Sequence, residues 1–97
     1  MRHILICALI AMTSAASAQE VAQRDKDVLG TCLFMSTDAM VNDWACVDLM
    51  KRWHVTTADM VMMKACKAMD MERMNRDVDC AQLRAKHPDI VTAGLRR

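Results

Sequence analysis

The chain reads as all-α: a small disulfide-stapled helical bundle of about four short helices, arranged as two helix-turn-helix halves. Three observations predict this. Ala, Met, Leu, Lys, Arg, Gln and Glu supply much of the sequence, and all favour helix. Strand-type alternation is missing, there is no Tyr and only one Phe, and 2 Gly and 1 Pro offer little turn chemistry. Four cysteines, Cys32, Cys46, Cys66 and Cys80, follow the spacing C-x13-C-x19-C-x13-C, so the two outer gaps are equal.

The first element is not part of that bundle. Arg2 and His3 make a positively charged start, Ile4 to Met12 is a nine-residue apolar run, and Ala16-Ser17-Ala18 is a small-x-small cleavage site before Gln19. This is the layout of a secretory signal peptide over residues 1–18, with a run too short to span a bilayer. Export to the periplasm or the extracellular space follows, with residues 19–97 as a single helical domain. Of the 5 cysteines, Cys7 leaves with the leader, and an even four remain. The 13 Lys and Arg lose Arg2, which leaves 12 against 12 Asp and Glu. No basic field remains to recruit nucleic acid or anionic lipid, and no second apolar run offers stable membrane insertion. At this length a single core is marginal, and disulfides are the expected supplement.

Helices are expected near 20–36, 43–53, 57–73 and 77–87. The first break falls in Ser36–Asp43, where short polar side chains compete for backbone hydrogen bonds. Lys51 and Arg52 suit the end of the second helix, whose terminus carries partial negative charge. Thr56 and Asp59 have capping-box spacing ahead of Met60, and Asp77 can cap a helix from Val78. Pro88 should stop the fourth helix, because its ring disfavours helical geometry at His87, with a short helical turn possible beyond it. A shift of 34 residues superposes Cys32 on Cys66, Met35 on Met69, Met40 on Met74, Asp43 on Asp77, Cys46 on Cys80 and Leu49 on Leu83. The halves therefore share a layout, whether or not they arose by duplication.

Four thiols in an exported chain point to two disulfides. If each half folds back on itself, the bonds are 32–46 and 66–80, each stapling a helical hairpin. If each half were one helix, 14 residues would separate its cysteines by about 21 Å, and the nested pairing 46–66 with 32–80 would be required. The methionines between Met60 and Met74 face too many directions for a two-helix seam, which favours a compact bundle and the local pairing. Zinc is disfavoured, because its structural sites use cysteine pairs two to four residues apart. Thioredoxin-like redox chemistry lacks its C-x-x-C motif.

Function is less legible. Catalysis has little to work with: Ser36 is the only serine after the leader, and His54 and His87 lack motif context, so no catalytic residue is expected. The leading expectation is a small exported interaction module of inhibitor, immunity, chaperone or adaptor type, with another protein as partner. Trp44 and Trp53 are its candidate binding residues, against the alternative that they pack over the helix interface. The second expectation is a periplasmic Cu(I)-binding protein. Soft thioethers select that ion, and Met60, Met63, Met71 and Met74, with His54, could ligate it from segment 60–74. Against copper stands the use of methionine as adaptable core filler, and no cofactor is the preferred expectation.

Overall fold

The computed structural model describes residues 20–96, so the expected signal peptide at 1–18 lies outside the described residues. Within them the chain is all-α, with seven helices and no strand: α1 (Gln23–Phe34), α2 (Thr37–Asn42), α3 (Trp44–Trp53), α4 (Thr57–Ala68), α5 (Met71–Arg76), α6 (Val78–Lys86) and α7 (Pro88–Leu95).

The expected count of about four helices is therefore corrected, and capping explains the difference. Short polar residues that disfavour a helix interior can begin a new helix. Ser36, read as part of a break, accepts the Ala39 N–H through Oγ and starts α2. The helix expected over 57–73 ends at Ala68, because the Asp70 carboxylate accepts the Arg73 N–H and starts α5. Beyond Pro88 runs a helix of 8 residues, with the proline at its first turn where its missing N–H costs nothing.

Other boundaries match the sequence reading. Thr56 and Asp59 form a reciprocal capping box at the start of α4. Asp43 caps α3 and Asp77 caps α6, and α6 stops at Lys86 ahead of Pro88. Helix α3 ends on His54, whose left-handed backbone (φ 56°) lets the Val55 N–H reach back to the Met50 carbonyl. His is among the non-glycine residues found more often in that region.

The 34-residue shift now relates whole elements. Helix α1 maps onto α4 from first residue to last, α2 onto α5 likewise, and α3 and α6 begin at equivalent positions. Disulfides join Cys32 to Cys46 and Cys66 to Cys80, each tying the long helix of a half to the third. The packing repeats as well, with α1 against α3 and α4 against α6. Helix α7 has no counterpart in that scheme. It packs across α1, α4 and α6 and closes the core with Ile90, Val91 and Leu95. Gly94 sits where α7 crosses the two long helices, with room for no side chain: a Cβ would lie 2.6 Å from Met63 Sδ and 2.9 Å from Leu29 Cδ2. Leu29 and Met63 are themselves equivalent under the 34-residue shift.

Candidate functional site

Methionine fills the interior. Met40, Met60, Met63 and Met74 are buried beside Leu29, Leu49 and the four cysteines, and Met35, Met62 and Met69 pack partly buried against that cluster. Met35 Sδ lies 3.9 Å from Cys46 Sγ, and Met69 Sδ lies 4.0 Å from Cys80 Sγ, so each disulfide has a thioether beside it. Of the five candidate copper ligands, Met60, Met63 and Met74 are interior. Met71 is 49% exposed on α5, and His54 is exposed at the end of α3. An unbranched thioether packs readily into the irregular gaps of such an interior. Among the described residues, no three His, Cys, Asp or Glu side chains group as a metal site.

Two buried carboxylates are the polar feature that local sequence spacing did not reveal. In the first half Asp25, on the first turn of α1, receives both terminal nitrogens of Arg52, at 2.9 and 3.0 Å, and the Trp53 indole N–H at 3.0 Å. Arg52 also donates from Nε to Asp48 at 2.9 Å. The Arg52 hydrogen bonds first, then that of Trp53, hold the Asp25 carboxyl below its ordinary pKa against burial, and Asp25 then Asp48 raise that of the guanidinium. In the second half Asp59 stands in for Asp25, Lys86 for Arg52 and His87 for Trp53. Lys86 Nζ lies 3.2 Å from Asp59 Oδ1, and His87 Nε2 lies 2.9 Å from Oδ2. An ionised carboxylate only accepts, so the imidazole is the donor. Burial pushes the Asp59 carboxyl up, but hydrogen bonds from the Thr56 backbone, His87, Lys86 and the Thr56 hydroxyl outweigh it and lower its pKa to about 2. Each clasp ties the start of a long helix to the end of the third helix in its half.

These contacts sort the candidate residues. Trp53 is half-buried and committed to Asp25, whereas Trp44 is 73% exposed on the first turn of α3. Ser36 caps α2, His87 belongs to the Asp59 clasp, and the cysteines are in disulfides.

Two apolar surfaces stand outside these contacts: Phe34, 89% exposed at the end of α1 beside Leu33 and Ala68, and a face of α2 and α3 in the first half. A groove of about 610 Å³ runs between α2, α3 and the α3–α4 turn. Val41, Val47, Met50 and Val55 supply its apolar surface, and Lys51, His54, Thr56 and Thr57 its polar edge. Trp44 stands one turn ahead of Val47, and Lys51 one turn beyond it, so the three share a stripe of α3. The second half does not repeat this face. Val41, Val47 and Met50 correspond to Asn75, Ala81 and Arg84, and Trp44 corresponds to Val78. His54 to Thr57 correspond to 88–91, which lie within α7.

Comparison with protein-family models, with curated proteins and with solved structures finds no match.

Proposed function

We propose that this chain is an exported, non-catalytic protein-interaction module that binds another protein through the α2–α3 face. One observation carries the reading: the same helical frame occurs twice, and only its first copy places an apolar groove beside an exposed tryptophan. Exposed Asn75 and Ala81 take the places of Val41 and Val47 in the second copy, so the shared frame does not itself call for apolar side chains at those two positions, whereas Met50 also packs in the core. An exposed aromatic beside an apolar depression is the usual form of a binding anchor.

Two further points support the reading. Neither disulfide is a free thiol pair, and the serine and histidines that catalysis would recruit hold structural positions or, at His54, line the groove. The five candidate copper ligands are divided between the core, which holds Met60, Met63 and Met74, and the surface, where Met71 and His54 lie. Among the described residues no helix is long and apolar enough to cross a membrane, and disulfides suit an oxidising compartment. Both agree with export to the periplasm or beyond.

The repeat supplies its own control for the test. A photoreactive p-benzoylphenylalanine replacing Trp44 or Val41 should crosslink a partner in the compartment to which the protein is exported. The same residue replacing Val78 or Asn75 should not. Equal capture from both halves, or none from position 44 or 41, refutes the proposal.

A further inference from the structure

Resting on that reading, the groove's chemistry also specifies what the partner presents. Its floor is aliphatic and thioether, from Val41, Val47, Met50 and Val55. Its two ionisable lining residues, Lys51 and His54, are both basic, and no carboxylate lines it. The nearest acid along α3, Asp48, is engaged by Arg52, and Asp43 is turned to the α3 amides as their cap. The backbone carbonyls at the end of α3 are also used, since Lys51 O accepts from His54 N and Met50 O from Val55 N. The lining of the groove thus carries only basic ionisable groups, while the exposed carboxylate of Asp38 stands one turn before Val41 on α2, outside the lining.

We propose that the groove receives an acidic amphipathic helix of the partner protein. Apolar side chains at i, i+3 or i+4, and i+7 would lie along Val41, Val47, Met50 and Val55, and carboxylates on one flank would face Lys51 and His54. A helix is the fitting occupant for a trough between helices. Strand addition has no template, because the described residues contain no strand. A small apolar anion is the poorer fit. Lys51, His54, Thr56 and Thr57 are all exposed, so the trough is open along one side, whereas small-molecule sites enclose most of their ligand.

The test uses two synthetic helical peptides of about 18 residues with one shared leucine ridge, one flanked by Glu and the other by Lys. Fluorescence anisotropy with the oxidised protein should show the Glu peptide binding about tenfold tighter, with a preference that shrinks at high salt. Lys51→Glu with His54→Asn should abolish the preference. Asn is chosen because it tolerates the left-handed backbone at position 54. Val47→Asp should weaken both peptides, and thermal unfolding of each variant reports whether the fold is kept. Equal affinity for the two peptides, a preference unchanged by Lys51→Glu, or no binding of either at about 1 mM overturns the proposal. A self-association that Val47→Asp abolishes overturns it in favour of a second copy as occupant. Decanoate binding with the same residue dependence, without peptide binding, overturns it in favour of a small ligand. If crosslinking from position 44 still captures a partner while the Glu peptide fails, the acidic-helix chemistry falls and the interaction reading stands.

Discussion

Replacing Asp59 by Asn removes one negative charge from a buried junction and leaves its shape almost unchanged. Asp59 is 8% exposed and joins four parts of the molecule: the α3–α4 turn through Thr56, the start of α4, the end of α6 through Lys86, and the entry to α7 through His87. Its carboxyl has an ordinary pKa of 3.8 and a folded value of about 2. A difference of nearly two pH units corresponds to roughly 2 kcal/mol of preference for the ionised form in the folded state. The folded value is the lower one, so this stability is fully present above about pH 4 and is lost as pH falls towards 2. Asp59→Asn should therefore cost roughly 2 kcal/mol at pH 6, or about 10 °C in Tm for a domain of this size. Near pH 2 it should cost little, because the native carboxyl is by then largely protonated. Urea unfolding followed by tryptophan fluorescence from pH 2 to 7, with disulfides oxidised, measures the difference between the two proteins. Comparing them pairwise removes the contribution of other acids, including Asp25. A cost below about 0.5 kcal/mol at pH 6, or one that does not shrink on acidification, would refute the clasp as the source of stability.

Three further substitutions test the frame. Gly94→Ala sets a methyl group against Met63 and Leu29 and should cost about 1–3 kcal/mol in urea unfolding, a penalty that Met63→Ala should reduce. Simple additivity of the two substitutions would count against the crowding. Changing Cys32 and Cys46 together to Ala should cost about 3 kcal/mol, the amount expected for a loop of this length, with a similar loss for Cys66 and Cys80. Peptide mapping without reduction checks the pairing, and a Cys46–Cys66 link would contradict it. Replacing Met60, Met63 and Met74 by Leu should cost under about 1.5 kcal/mol each and leave partner capture intact. Anaerobic Cu(I) titration should not distinguish that variant from the parent, and micromolar binding lost on substitution would restore the copper reading.

The sequence revealed local features better than distant ones. The caps at Thr56 and Asp77 were legible because a cap acts over two or three residues, a range that spacing can read. The same rule misled at Ser36 and Asp70, where a residue type that ends one helix also begins the next. The Asp25 and Asp59 clasps were missed because their partners lie 27 and 28 residues away, and no periodicity connects them. A signal was nevertheless present. The 34-residue shift that aligns the cysteines also aligns Val21 with Val55, Asp25 with Asp59, and Arg52-Trp53 with Lys86-His87. His54 drew notice as a possible ligand, yet the histidine with a buried partner is His87. The methionines could not be placed from spacing, because Met60, Met62 and Met63 point to different sides of one helix. Burial separates them: Met60 and Met63 are interior, and Met62 lies at the margin.

The repeat also bears on why the proposed interaction is assigned to one half. Within residues 19–97, eight pairs are identical under the shift: Val21/Val55, Asp25/Asp59, Cys32/Cys66, Met35/Met69, Met40/Met74, Asp43/Asp77, Cys46/Cys80 and Leu49/Leu83. Each has a structural use already described or is a buried core residue. Val21, Val55, Leu49, Leu83, Met40 and Met74 are interior, the acids cap helices or form clasps, and the thioethers of Met35 and Met69 flank the disulfides. What the halves share is therefore accounted for by the frame alone. Their differences include frame positions, such as Leu29 against Met63 and Arg52-Trp53 against Lys86-His87, and exposed ones, such as Val41 against Asn75 and Trp44 against Val78. A chain this short would ordinarily need its large apolar side chains inside to be stable. Two disulfides, two clasps and a cap at most helix starts relieve that demand, which lets Trp44 and Val41 stay exposed, as the proposed interaction requires.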